Sequence, residues 1–453
     1  MITDMALVSA AATGVLGEYD HAVEIPQGSG FTIIYGPNGV GKTKFLEIIN
    51  ELSNLRGFAL AELPFKSATL KYSDDTELSA ENLGVTGECD AETEDFASKV
   101  KFTLKYPNSK SIKWEYKEDN FHSYLQQRGR FEQIDDDHWQ DRADGEILHI
   151  DELRTRFGKG SKARLVPRRD SAPEEAQNFV KHVPSFLIET QRLQIEENLN
   201  ISVRRFDSLR ESQRPQSRII KQANRIRGFL TEAQTEHSKI TQRLDRTFPN
   251  RVLSAAAQEN KLDSNSIRER YNTQNDFRSR LGRIVSLALE AELSLPSAEL
   301  DNWALTLLKQ YLDDADQKLL PFRDLLEKIE LLEEIINGRL LNKQIRVTDG
   351  KGLEVTHALS NKEIALDSLS SGEQHEIILM IDLLFNVPAG AVVLIDEPEI
   401  SLHVAWQIAF IPDVEKIAEL AGFRFLVATH SPQIINDRWD RAVRLGPIES
   451  KFA

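Results

Sequence analysis

The chain has 453 residues and a formal net charge of -15, from 71 acidic against 56 basic side chains. Its length exceeds one hydrophobic core, which stops growing near ~250 to 300 residues, so two lobes are expected. No apolar run approaches the ~18 residues of a membrane span, Met1-Ile2-Thr3-Asp4 carries no basic signal head, and Cys89 is the single cysteine. These facts argue against a membrane protein, a disulfide scaffold and a multi-cysteine zinc site, and the expected location is cytoplasmic. The acidic balance also argues against indiscriminate DNA binding by the whole surface.

Residues 5 to 30 alternate weakly and predict a β-hairpin region, with Ala22-Val23-Glu24-Ile25-Pro26 as one strand. The apolar run Phe31-Thr32-Ile33-Ile34-Tyr35 then feeds Gly36-Pro37-Asn38-Gly39-Val40-Gly41-Lys42-Thr43, a full match to the phosphate-binding P-loop pattern, followed by the helix-compatible run Lys44 to Ile49. Strand, glycine turn and helix are the context this motif needs. The glycines let backbone N–H groups wrap a phosphate, and the helix adds partial positive charge at its N-terminus. Lys42 is placed to meet the β- and γ-phosphates of a nucleotide, and the Thr43 hydroxyl to hold Mg²⁺.

Strand patterns return at 68–72, 100–106 and 112–116, the last two joined by hairpin residues Pro107 to Lys110. The acidic stretch from Asp74 to Asp95 reads as a solvated loop, as does Asp135-Asp136-Asp137-His138, because neither has metal-ligand spacing. From Ile150 to Leu230 the charge reverses: Arg154, Arg156, Lys159, Lys162, Arg164, Arg168 and Arg169 precede a second group from Arg204 through Arg218, Lys221, Arg225 and Arg227. A solvated helix face and a docking surface for a polyanion both account for this run. Pro184 to Leu193 resembles a buried strand ending in a polar turn that contains Gln191. Residues 195–342 then read as mostly helical, with Leu325, Ile329, Leu332, Ile336 and Leu340 at helical spacing. That stripe predicts helix packing or a short coiled coil.

A strand at 344–347 and the segment Leu369-Ser370-Ser371-Gly372-Glu373-Gln374 precede a helix over 376–385. Two apolar strands follow, 391–395 ending in Asp396-Glu397-Pro398-Glu399 and 423–428 ending in Thr429-His430-Ser431. Strands buried on both faces with polar residues at their C-terminal ends are what a parallel α/β sheet presents to a ligand.

This order of motifs resembles the ABC ATPase heads of the SMC, RecF and OLD class, over roughly 1–60 and 345–445. The resemblance implies an α/β ABC ATPase head with an antiparallel β subdomain and a helical, coiled-coil-like insertion. Its divisions fall at 1–194 (N-terminal half of the head), 195–342 (insertion) and 343–453 (C-terminal half). By the same resemblance Ser370, Ser371, Gly372 and Glu373 belong to the ABC signature, and Asp396 is the Mg²⁺-associated Walker B carboxylate. Glu397 is the base that orients water, His430 the γ-phosphate switch, Ser401-Leu402-His403 the D-loop, and Gln191 the Q-loop residue, which also approaches Mg²⁺. A carboxylate beside the metal and a second one able to polarise water suit phosphoryl chemistry. The signature departs from the transporter form at Ser371 and Glu373, which points to the OLD and RecF-like side.

ATP and Mg²⁺ are the cofactors so implied, with a slow ATPase that depends on oligomerisation, since in ABC heads one protomer's signature completes its partner's site. The partners expected are a second copy of the chain, in a homodimer or larger assembly, and no membrane. OLD proteins carry a Toprim nuclease domain, for which about two dozen residues after His430 leave no room. The wording of the motifs is closest to the stand-alone ATPases of anti-phage systems, the PARIS ATPase AriA first and the Septu ATPase PtuA next. Their partners are Toprim and HNH nucleases respectively, so an effector nuclease acting in trans is expected. A phage protein or nucleic acid docking on the basic insertion is the corresponding trigger. The alternative is a DNA-repair or DNA-tethering ATPase of RecF or SMC type that binds duplex DNA.

Overall fold

The computed structural model describes residues 5–26, 30–86, 98–107, 111–117, 125, 130–134, 138–142, 147–149, 152–153, 172–189, 217–256, 263–285, 295 and 300–447. The chain forms two compact units, Met1–Leu193 with Val387–Ala453, and Gln194–Asn386. The helical unit therefore includes 343–386, and with it the Ser370–Glu373 segment.

The first unit begins with β1 (Leu7–Val15), β2 (Tyr19–Glu24), β3 (Phe31–Tyr35), α1 (Lys42–Ser53), α2 (Gly57–Glu62), β4 (Ser67–Tyr72), β5 (Glu77–Asn82), β6 (Ser98–Lys105) and β7 (Ser111–Lys117). It continues through β8 (Phe131–Gln133), β9 (His138–Asp141), β10 (Ile147–His149), α3 (Glu174–His182) and β11 (Ser185–Glu189). The second unit holds α4 (Arg218–Ala256), α5 (Ser264–Gly282), α6 (Asn302–Leu319), α7 (Arg323–Asn337), β12 (Lys343–Thr348), β13 (Gly352–His357), β14 (Glu363–Ile364) and α8 (Ser371–Ile381). The first unit resumes with β15 (Val392–Asp396), α9 (Val404–Ala421), β16 (Arg424–Thr429) and β17 (Ala442–Arg444).

In the first unit a five-stranded sheet has the order β11-β15-β16-β3-β17, and all its neighbours pair in parallel. Every residue of β15 and β16 is buried, as expected for strands covered on both faces. An antiparallel sheet, β2-β1-β4-β5-β6-β7, lies in the same unit. One apolar cluster joins the two sheets through α1, whose Phe45, Leu46, Ile48, Ile49 and Leu52 share it with Leu70, Leu78 and Phe102 on one side and Leu394 and Leu426 on the other. Each such side chain contributes about 1.5–3 kcal/mol by leaving water, so the helix that carries the P-loop is fixed from both faces.

The acidic stretch read as a loop begins differently. Glu77–Asn82 is the strand β5, paired with both β4 and β6. Its alternation buries Leu78 and Ala80 and turns Glu77 and Glu81 outward, where Lys71, Lys105 and Lys101 pair with them. The count of acids masked a period-2 pattern. Residues 87–97 and Asp135-Asp136-Asp137 lie outside the described residues.

In the second unit, α4 runs for 39 residues. Gly352 lets the β12–β13 hairpin meet this helix: its φ is +75°, and a Cβ there would stand 1.8 Å from the Ala223 carbonyl oxygen. The predicted stripe on α7 is buried at Ile329, Leu332 and Ile336, joined by Leu326 and Ile335. Asn337 of α7 bonds both backbone groups of Ile345, and Glu333 accepts from Val347 N–H, so α7 satisfies an edge of β12. Of the basic run, 154–169 and 204–214 lie outside the described residues. Lys221 and Arg225 are exposed on α4, whereas Arg218 turns to Asp382 at 3.8 Å.

Candidate functional site

β3, β15 and β16 are neighbours in one parallel sheet, so their C-terminal ends form a single rim. The P-loop leaves β3 there, Asp396 ends β15, and Thr429 ends β16 just before His430. In open α/β sheets this is the edge that binds ligands.

The loop glycines act for separate reasons. Gly39 and Gly41 adopt φ of +83° and +86°, the left-handed region, which turns backbone N–H groups into the loop. Gly36 is required by proximity: a Cβ would lie 2.4 Å from the Leu445 carbonyl oxygen. Pro37 and Asn38 lead into the turn, and Val40 is buried under it. The buried His21 Nε2 lies 2.7 Å from the Val40 carbonyl oxygen, which ties the antiparallel sheet to the loop.

Lys42 is 5% exposed, and its ammonium donates to the carbonyls of Gly36 and Pro37, both at 3.1 Å. Burial lowers its pKa, against the pull of the Glu397, Asp396 and Glu399 carboxylates. The Thr43 hydroxyl donates to Asp396 Oδ2 at 2.9 Å. This hydroxyl and carboxylate are hard oxygen donors of the kind Mg²⁺ takes, so the residues present fit the expected ion.

His430 Nε2 stands 2.6 Å from Lys42 Nζ and 3.3 Å from Glu397 Oε1. Nε2 can serve one neighbour at a time: unprotonated it accepts from Lys42, and protonated it donates to Glu397. Glu397 sits at φ 44° and ψ 55°, a left-handed conformation that costs a non-glycine residue on the order of 1 kcal/mol or more. The Glu397 N–H bonded to Ala428 O at 2.8 Å helps hold it there.

The structure thus brings Lys42, Thr43, Asp396, Glu397 and His430 together. Ser370, Ser371, Gly372 and Glu373 lie in the other compact unit, at the start of α8. There Ser370 and Glu373 form a reciprocal cap, and Lys343 binds both Glu373 oxygens at 2.8 Å. Burial alone would raise the Glu373 carboxyl, but Lys343 and Ser370 hold it below the usual range. Gln191 lies outside the described residues.

Two participants escaped the sequence reading. Lys343 is remote from the signature in sequence and sits in an ordinary strand pattern. Glu399 belongs to a segment already singled out, but spacing gave no sign that its carboxylate reaches the turn at 429–431. Among the described residues no group of three or more His, Cys, Asp or Glu could hold a metal ion, and no helix is long and apolar enough to cross a membrane.

A family model described as AAA ATPase domain matches residues 17–435. No functionally curated protein matches the chain. Among solved structures, the chain is similar to an Smc head domain with an extended coiled coil, bound to the C-terminal domain of ScpA, derived from Pyrococcus furiosus. The identity is 13% and the TM-score 0.37, covering 95% of this chain and 91% of that one. An SmcHead bound to the C-winged helix domain of ScpA gives 12% and 0.37, covering 98% and 95%. The SMC head domain from Thermotoga maritima gives 10% and 0.33, covering 98% and 99%.

Proposed function

Because this chain belongs to the AAA ATPase domain family, we propose that it binds ATP with Mg²⁺ at the rim formed by β3, β15 and β16 and hydrolyses it there. The observation that carries this reading is the convergence of Lys42, Thr43, Asp396, Glu397 and His430, drawn from the ends of three adjacent strands. The P-loop N–H groups and Lys42 bind phosphate oxygens, with the ammonium already held at the loop by two carbonyls. Thr43 and Asp396 hold Mg²⁺, which when bound neutralises phosphate charge. Glu397 orients the attacking water and takes its proton. His430, between Lys42 and Glu397, follows the charge on the terminal phosphate. Titration calorimetry tests this: Lys42→Ala removes a charge-assisted contact and should weaken ATP binding by about 10- to 100-fold. Parental affinity in the alanine variant would refute the site.

At the cellular level we propose that the ATPase is a sensor and scaffold of an anti-phage complex, restraining a separate effector nuclease of Toprim or HNH type. Its motif wording, closest to AriA and then PtuA, supports this reading. On it, two copies or more assemble with ATP, and the basic insertion receives the trigger. The exposed Lys221 and Arg225 of the long helix α4 favour a second reading, a RecF- or SMC-like ATPase that holds duplex DNA. The two separate on salt. Duplex binding whose affinity falls steeply with log salt concentration supports DNA tethering, whereas capture of a nuclease without duplex binding supports the scaffold.

A further inference from the structure

Glu399 is the centre of a connection that the ATPase reading does not use. Its Oε1 accepts from the Thr429 hydroxyl at 2.8 Å, from the His430 N–H at 2.6 Å and from the Ser431 N–H at 3.1 Å. Its Oε2 is buried and takes no hydrogen bond from the described residues, so the carboxylate's bonding is directed to this one turn. The two ends of the turn are held by other contacts as well: Thr429 pairs with Tyr35 in the sheet, and Ser431 caps the next helical turn, its hydroxyl accepting from Gln433 N–H at 3.2 Å and its carbonyl from Ile434 N–H at 3.2 Å. What Glu399 adds is the acceptor for the His430 N–H between them. Ser431 N–H also meets Thr429 Oγ1 at 2.9 Å, and the Ser431 hydroxyl contacts Gln407 Oε1 at 2.7 Å. Gln407 in turn donates to the carbonyls of Glu399 and Leu402 at 3.4 and 3.0 Å. The segment after Asp396 and the turn after β16 are therefore bound to each other, and the shortest of Glu399's three contacts is to the backbone of the histidine that touches Lys42.

We propose that Glu399 is a positioning residue: by fixing the backbone of 429–431 it sets the place of the His430 ring between Lys42 and Glu397. The physical reason is leverage. A ring whose Nε2 stands 2.6 Å from one partner and 3.3 Å from another, within reach of either, moves out of that place if the backbone N–H of His430 loses its acceptor and the backbone turns. Three bonds to one charged oxygen supply that restraint more firmly than neutral bonds would, since charge-assisted bonds are roughly twice as strong.

The inference rests on the proposed role of His430, and a double-mutant cycle separates the two. Steady-state turnover and ATP affinity are measured for Glu399→Ala, His430→Ala, the double variant and Glu399→Gln. If Glu399 acts through His430, Glu399→Ala loses turnover by about tenfold or more, with ATP affinity within about threefold of parental. The double variant is then no slower than His430→Ala alone, because the histidine that Glu399 places is gone. Glu399→Gln, whose amide oxygen can still accept from the same donors, restores turnover to within about threefold. Glu399→Asp, which keeps the charge but shortens the reach, gives the same cycle where the alanine variant does not fold. Parental turnover in His430→Ala refutes the histidine's role and the inference with it. A slow His430→Ala combined with a double variant reduced by the product of the two losses leaves the histidine's role standing and overturns the inference alone, as does loss of ATP affinity in step with turnover in Glu399→Ala.

Discussion

At the residue scale, the proposed mechanism assigns its two chemical duties to different side chains. Asp396 is 5% exposed and bonded by the Thr43 hydroxyl, which suits a residue that holds a metal ion rather than moves protons. Glu397, next in the chain, is more open, with 20% of its side chain exposed, and faces His430 instead. The left-handed backbone at Glu397 accompanies the turn of two consecutive carboxylates toward different neighbours, Thr43 for Asp396 and His430 for Glu397. Glu397→Gln keeps the shape and loses the basicity. Its ATP affinity should stay within about threefold of parental while turnover falls by roughly a hundredfold or more. Single-turnover hydrolysis with prebound ATP measures this, and a rate near parental would move the proton-accepting role to another residue.

At the scale of elements, α8 carries both the Ser370–Glu373 cap and a buried ionisable group. Glu376 is 2% exposed, and burial raises its carboxyl to about 7, with the Arg339 guanidinium pulling the other way. The folded chain therefore keeps this proton from the ordinary value of 4.5 up to about 7, where the unfolded chain has released it. Stability tied to Glu376 is present in full below about pH 4.5 and is lost as pH rises through about 7. The loss amounts to on the order of 3 kcal/mol, from about 1.36 kcal/mol per pKa unit. Glu376→Gln has no such proton to lose. Its Tm should gain on the parental Tm across this window and hold a constant advantage above it. Parallel Tm curves from pH 4.5 to 8 would show that Glu376 titrates as it does in water.

The same elements show what a sequence can and cannot disclose. β3, β15 and β16 were legible because strands buried on both faces leave uninterrupted apolar runs, and the P-loop because glycine is required where φ is positive or the backbone comes close. β5 is hidden in the sequence because its outward face is acidic and merges with the acidic stretch that follows, although its period of two is present. Lys343 and Glu399 could not be found by spacing. Each acts through a contact made by the fold, across 30 residues from Lys343 to Glu373 and 31 from Glu399 to His430. Motifs report residues that touch a ligand, whereas the residues that hold those in place depend on tertiary packing.

For the whole molecule, the Ser370–Glu373 segment lies in the second compact unit, whereas Lys42, Thr43, Asp396, Glu397 and His430 lie in the first. We propose that this segment completes the ATP site of another copy, as the resemblance to ABC heads implies. On that reading a Ser370→Arg chain and a Lys42→Ala chain are each inactive alone, the first through its signature and the second through its P-loop. The arginine also replaces the hydroxyl that bonds Glu373 and so removes half of the α8 cap, which costs about 1 kcal/mol. Folding of that variant is therefore checked by its Tm before activity is read. Mixed together, the two chains can form one composite site with a parental P-loop from the first and a parental signature from the second. ATPase activity should then recover in part, in proportion to the fraction of mixed dimers measured with differential tags, and reduced by any coupling between the sites. A verified mixed dimer with no turnover would count against independent composite sites, and full activity in a monodisperse Ser370→Arg monomer would exclude the trans arrangement.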